Sequence, residues 1–196
     1  RRFAAPIRVS LDPGGLMPGV EATVKEPLSL PPMPRGRPME TLDERIVRAP
    51  MRTMFAIARD VEHWPAHLAH YRWVRFRDRA PDGGGIVEMA SWRPFGVLRW
   101  PTWWLSEMSV DEARPAIRFR HIGGITRAMD VEWAFEEVRD GTHVRLLHVW
   151  DGPRWPLIGV VAATAVIGPV FIHGIASRTL AGIKRQLERA HRPDGA

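Results

Sequence analysis

The sequence contains no cysteine. That absence excludes disulfide cross-links, thiolate nucleophiles, cysteine-ligated zinc and iron–sulfur clusters. Lysine is nearly missing as well. Of 28 basic residues only Lys25 and Lys184 are lysines, so the formal charge of +6 is carried by arginine. Acidic residues are interspersed with the arginines, which leaves no uninterrupted basic arm for a polyanion to follow. A single tyrosine stands against nine tryptophans. There is no alternation of strands with helices, no glycine-rich dinucleotide fingerprint and no P-loop.

What is present describes a folded domain. Hydrophobic residues make up 45% and charged residues 26% of 196 positions, enough for one core with some excess chain. Tryptophan is large and hard to bury completely, and its indole N–H needs an acceptor. Trp73, Trp92, Trp100, Trp103 and Trp104 fall in one short stretch. So many rings exceed what a core of this size needs, and lining a cavity is a natural use for the surplus.

Residues 1–38 read as an extended arm that packs across the domain, with disorder as the close alternative. Pro6, Pro13, Pro18, Pro27, Pro31, Pro32, Pro34 and Pro38 remove donors and fix φ at a density no regular helix or central strand survives. The domain proper spans 39–190, with 191–196 as a tail. A first strand is expected from about Thr41 to Arg48. Pro50 opens a helix whose apolar side is Met54, Phe55, Ile57, Ala58 and Val61, and a second short helix covers roughly Glu62–Ala69. Strands follow at 71–78, 85–92, 97–110 and 115–121, with the segment Arg93-Pro94-Phe95-Gly96 separating two of them. A hairpin then joins Ala128–Val138 to the alternating segment THVRLLHVWD through a turn at Arg139-Asp140-Gly141. Ile172, Ile175, Thr179, Leu180, Ile183 and Leu187 recur at helical spacing in the tail of the domain. The expected class is α+β: a curved antiparallel sheet wrapped around a long C-terminal helix, with two short helices after the first strand.

That order, together with the segments DVEHWPAHLAHYRWVRF, VEWAFEEVRDGTHVRLLHVWD and FIHGIASRTLAGIKRQLE, resembles the helix-grip superfamily. This superfamily is also called START-like or SRPBCC, and the resemblance is to its polyketide cyclase/dehydrase group over about residues 42–190. It implies a cavity between sheet and helix that holds an apolar or aromatic small molecule, polyketide, lipid or quinone. It also implies either cyclase/dehydrase chemistry or non-catalytic transfer; a module that only docks to a partner protein is the third reading, favoured if the cavity is collapsed and the N-terminal arm is ordered against another chain. No catalytic triad is universal in the superfamily, whose cyclases use a cavity arginine with a few polar or aromatic groups. No cofactor and no metal is expected, and the location implied is cytoplasmic or peripheral at a membrane.

Within that frame, enolate and aldol steps need a proton-transfer group and a donor for the developing oxyanion. His148, between Leu146 and Trp150, is the preferred proton-transfer candidate, with His121 and His173 behind it. Arg99, in a strand beside Trp100, Trp103 and Trp104, is the candidate anion holder. Tyr71, Trp92, Trp100, Trp133, Phe135 and Trp150 are the candidate cavity lining. His63, His67 and His70 fall on one face of a helix if it runs unbroken, but Pro65 interrupts it and no glutamate completes a zinc motif. The run Trp155–Ile172 is apolar but broken by Gly159, Gly168 and Pro169. It reads as a cover packed on the sheet, with transient membrane docking during ligand exchange as the alternative. Arg72, Arg75, Arg77 and Arg79 accompany no nucleic-acid motif, so a nucleic-acid partner is not expected.

Overall fold

The computed structural model describes residues 26–95, 98–152 and 174–190. The expected apolar cover at Trp155–Ile172, His173 and the first 25 residues lie outside the described residues. Residues 26–38 have almost no regular secondary structure, as their prolines dictate. β1 (Met39–Val47) is followed by helix α1 (Met51–Arg59), which Pro50 precedes at the N-cap position. A 3₁₀ turn (Val61–His63) runs into the one-turn helix α2 (Trp64–His67). Six strands come next: β2 (Tyr71–Arg79), β3 (Gly85–Phe95), β4 (Leu98–Asp111), β5 (Ala116–Gly124), β6 (Asp130–Val138) and β7 (Gly141–Trp150). Helix α3 (Gly174–Ala190) follows.

All seven strands form one antiparallel sheet in the order β1-β7-β6-β5-β4-β3-β2. Consecutive strands pair as hairpins from β2 to β7, and β1 closes onto β7. The two edges are therefore β1 and β2. Parity along each strand separates an inner from an outer face. In β6 and β7 the inner residues are Val131, Trp133 and Phe135 with Val144, Leu146, His148 and Trp150, all buried. The outer face carries cross-strand ion pairs, Arg118–Glu132 at 2.5 Å and Arg120–Asp130 at 2.9 Å.

The inner face is covered by α1, α2 and α3. Met54 and Ala58 from α1, Trp64 from α2, and Leu180, Ile183 and Leu187 from α3 join the same buried cluster as the sheet residues. The last three recur at i, i+3 and i+7, one stripe of a helix. α3 approaches α2 at Gly182, where a Cβ would stand 2.3 Å from Leu68 Cδ2.

Two expected boundaries move. The segment Arg93-Pro94-Phe95 is strand and not connector: its register continues as Arg93↔Trp100, Pro94↔Arg99 and Phe95↔Leu98. β5 likewise runs on through Gly123 and Gly124, past the expected end at His121. Gly124 has φ +85°, and a register shift lies between Leu105 and Ser106 opposite. Proline at a ladder position and glycine in a bulge are tolerated near a strand's end.

The β6–β7 turn depends on glycine. Gly141 has φ +133°, and a Cβ there would lie 2.1 Å from the Val47 carbonyl oxygen, a backbone atom of β1. Gly141→Ala is expected to destabilise the protein by about 2–4 kcal/mol, from backbone strain plus steric overlap. Chemical denaturation checks this, and a loss within experimental error would contradict the register given for the β1–β7 edge.

Candidate functional site

The inner face of the sheet carries a chain of aromatic rings. The Phe135 and Trp133 rings stack with centroids 6.4 Å apart, and Trp133 lies 5.6 Å from Trp64. Trp64 meets Tyr71 edge-on at 5.2 Å, and Tyr71 lies 6.2 Å from Trp104. Trp104 in turn stacks on His121 at 5.9 Å. These rings come from α2, β2, β4, β5 and β6, so the chain runs across the sheet rather than along one strand.

Among them sits an internal cavity of about 50 Å³. Its apolar wall includes Trp64, Met89, Trp104, Phe119, Val131 and Trp133, and its polar wall is Tyr71, Arg93, His121, His148 and Thr179. The volume corresponds to one or two waters and lies well below the several hundred Å³ of an ordinary ligand pocket. A ligand-sized occupant therefore requires the wall to move. Met89 and Met129, both lining residues, are the flexible side chains best suited to give way.

Arg93 is the unexpected member. Its side chain is buried, and its guanidinium lies 5.5 Å from the Trp104 ring centroid. Burial pulls its pKa down to about 10, partly offset by Tyr71, so it remains a cation at neutral pH. The groups facing it respond to burial and charge together. Desolvation first, then the charges of His148 and Arg93, push His121 down to about 3. Desolvation followed by Arg93 does the same to His148, also to about 3. Burial raises Tyr71 to about 12. At neutral pH the cavity thus holds one buried arginine cation, two neutral imidazoles and a neutral phenol.

Hydrogen bonding separates the two histidines. His121 Nδ1 lies 2.6 Å from Thr126 Oγ1. His148 Nδ1 is buried with no hydrogen-bond partner among the described residues. An unsatisfied buried polar atom costs about 1–3 kcal/mol, which a ligand able to pair with it recovers.

The sequence-derived candidates divide accordingly. His121, His148, Tyr71 and Trp133 lie on the cavity wall. Phe135 and Trp150 are buried beside it without lining it. Phe135 packs edge-on against Phe55 at 5.4 Å, and the Trp150 indole donates to the Arg127 carbonyl at 2.9 Å. Trp92, Trp100 and Arg99 lie elsewhere. Trp92 has the Arg72 and Arg99 guanidinium groups at 4.7 and 5.7 Å from its ring, and Trp100 is 59% exposed. The reason is parity. Met89, Ser91 and Arg93 share one face of β3, which sends Trp92 to the other. Arg99 alternates with Trp104 across β4 in the same way. Trp100 has the inward parity but stands at the exposed end of its strand. The cavity arginine is therefore Arg93 rather than Arg99.

The three-histidine pattern disperses. α2 ends at His67, His63 Nδ1 pairs with Asp60 at 2.8 Å, and His70 Nε2 lies 3.0 Å from Thr179 Oγ1 on α3. On β2, Arg75 and Arg77 pair with Glu88. Arg79 pairs with Glu62, and Arg72 stacks on Trp92. Among the described residues no helix is long and apolar enough to cross a membrane.

Comparison with known proteins places this geometry. The sequence profile of the family described as polyketide cyclase / dehydrase and lipid transport matches residues 47–168. A Streptomyces halstedii protein named "Putative polyketide cyclase" is 26% identical over 107 residues, covering 54% of this chain and 94% of its own. Among solved structures, the Zhui aromatase/cyclase of Streptomyces sp. R1128 superposes with a TM-score of 0.67 at 17% identity, over 80% of this chain and 98% of that one. A START superfamily protein of Mycobacterium smegmatis superposes with a TM-score of 0.61 at 12% identity, over 78% and 99%. At these identities the superpositions establish a shared fold.

Proposed function

Because the chain belongs to the polyketide cyclase / dehydrase and lipid transport family, we propose that its cavity binds an apolar or aromatic small molecule and acts on a ketone group within it. In this reading α3 is the helix that the curved sheet grips, and the ligand lies between them. The observation that carries the reading is the polar wall of the cavity: a buried Arg93 facing His121 and His148, the latter with an unpaired Nδ1, in surroundings otherwise aromatic. A cavity built only to dissolve a hydrocarbon gains nothing from burying a cation.

The chemistry that suits this wall is intramolecular aldol condensation of a poly-ketone. A neutral imidazole, His148 or His121, accepts a proton from the methylene between two carbonyls. The Arg93 N–H groups stabilise the resulting enolate oxygen. The enolate carbon forms a bond to a second carbonyl carbon of the same molecule, whose oxygen takes the proton back. The same imidazole then removes the remaining hydrogen from the new bond's α-carbon and passes that proton to the departing hydroxyl, so water leaves and a C=C forms in the ring, with no oxidant or reductant required. A pKa near 3 makes either histidine a weak base in the unliganded cavity. Negative charge developing beside Arg93 offsets the cationic field that holds both down, so basicity rises as the enolate forms.

Those same low pKa values favour a second reading, a non-catalytic carrier in which Arg93 and the histidines only orient a carbonyl. Turnover separates the two. Binding itself is tested by titrating 2-naphthol and following tryptophan emission, since Trp64, Trp104 and Trp133 line the cavity. Quenching should saturate at one ligand per chain. Val131→Phe, which fills the cavity, should weaken it by about tenfold or more while the far-ultraviolet spectrum is unchanged. Unaltered affinity in that variant would place binding elsewhere.

A further inference from the structure

A second concavity, of about 410 Å³, opens beside the cavity and is lined by His67, Leu68, Ala69, His70, Arg99, Arg178 and Arg185. Three arginines converge on it, and no carboxylate is among its lining residues within the described part of the chain. They come from separate places, Arg99 from β4 and Arg178 and Arg185 from positions two turns apart on α3, so the sheet and the helix contribute jointly. Arg99 is held by its position over Trp92. The two spaces meet at His70, whose Nε2 lies 3.0 Å from Thr179 Oγ1 and whose ring lies 4.8 Å from that of Tyr71. His70 lines the basic concavity and Thr179 lines the internal one. Burial first, then the charges of Arg93 and Arg178, push His70 down to about 4, so it is a neutral hydrogen-bonding group between two cationic zones.

Like charges brought together in this way repel one another unless an anion joins them, and the guanidinium fork matches carboxylate and phosphate oxygens. We propose that this concavity is a headgroup subsite, taking the carboxylate or phosphate of a ligand whose apolar body enters the adjoining cavity. The inference rests on the cavity-binding reading and sharpens it. The substrate class becomes an amphipathic anion rather than a neutral hydrocarbon. The anionic end stays at the surface among Arg99, Arg178 and Arg185, and the ketone-bearing or apolar end passes the His70–Thr179 contact towards Arg93.

The test uses three ligands with the same twelve-carbon body: dodecanol, laurate and dodecyl phosphate. Affinity is measured by calorimetry at low and high salt, in the wild type and in an Arg99→Gln/Arg178→Gln/Arg185→Gln variant. Inorganic phosphate serves as the bodiless competitor. The wild type should prefer the anions over the alcohol by about tenfold or more, a preference that shrinks with salt and disappears in the variant. Preference shared by laurate and dodecyl phosphate assigns a general anion subsite; preference for dodecyl phosphate alone, with competition by inorganic phosphate, assigns a phosphate subsite. Equal affinity for alcohol and anions in the wild type overturns the proposal while leaving the cavity reading in place. Failure of all three, the alcohol included, overturns both. The salt dependence in the wild type decides the matter even where the triple variant folds poorly.

Discussion

Replacing Arg93 by methionine should slow turnover of a poly-ketone substrate by about 100- to 1000-fold, the loss that follows removal of one preorganised oxyanion donor. The same substitution should raise the pKa of both His121 and His148, because the Arg93 charge is among the causes that hold each of them down. The two effects have one origin. A buried cation facing two imidazoles opposes their protonation and favours negative charge on a ligand oxygen. Methionine keeps the unbranched apolar stem of the side chain while removing the charge and its donors. Nuclear magnetic resonance titration of the two imidazoles reads the first consequence, and single-turnover kinetics reads the second. Raised histidine pKa values with undiminished turnover would show that Arg93 sets the field of the cavity without touching the reaction. Unmoved pKa values would contradict the geometry itself.

Stability should fall steeply as pH drops below about 6.5. His121 and His148 both have folded-state pKa values near 3, below the 6.5 of an unfolded chain. Between those values the unfolded state binds protons that the folded state excludes. The stabilisation is therefore complete above pH 6.5 and is lost progressively as pH falls towards 3. Each histidine contributes a slope approaching 1.4 kcal/mol per pH unit in the middle of that window, on the order of the whole stability of a domain when both act over two units. Partly buried His70, pushed down to about 4, adds in the same direction with a smaller share because solvent screens it. Denaturant midpoints measured from pH 8 to pH 4.5 test this. Replacement of His148 by phenylalanine should flatten the profile, as should Arg93→Met through the raised pKa values. A midpoint constant between pH 7 and pH 5 would mean that the histidines are hydrated in solution and the cavity is open to water.

How far the sequence alone reveals this site depends on the strand. The β6–β7 hairpin is transparent because alternation is unbroken and the turn is chemically distinctive. Val131, Trp133, Leu146 and His148 are assigned to the inner face by parity, and the register Val131↔His148 and Trp133↔Leu146 follows from it. β3 is opaque for the opposite reason. Arg93 lies in a segment with Pro94 and Gly96, the residues that mark a strand's end, and an arginine beside them reads as a solvent-facing connector. Yet its parity with Met89 and Ser91 points inward, and only the pairing of Arg93 with Trp100 establishes that the strand reaches it. Arg99 gains its appeal from aromatic neighbours in sequence, which on a strand lie alternately on opposite faces. The basic concavity is invisible for a further reason: β4 and α3 are about 80 residues apart in sequence, and no local pattern links Arg99 to Arg178.

The small size of the cavity bears on the central claim. About 50 Å³ accommodates water but no polyketide, lipid or quinone, so ligand binding entails displacement of Met89, Met129 or the helical cover. A binding rate that is slow and independent of ligand charge in the triple arginine variant would locate the barrier in that displacement. Calorimetry on the wild type should show the negative heat-capacity change that accompanies burial of apolar surface.

The most direct test of the account is native mass spectrometry of the protein after incubation with a graded set of apolar ketones and alkyl anions, followed by denaturing extraction of whatever is retained. The account predicts one ligand of apolar or amphipathic character per chain, released on unfolding and displaced in the Val131→Phe variant. A protein that retains nothing across the whole set, and shows no tryptophan quenching with 2-naphthol, would contradict the claim that this cavity is a binding site.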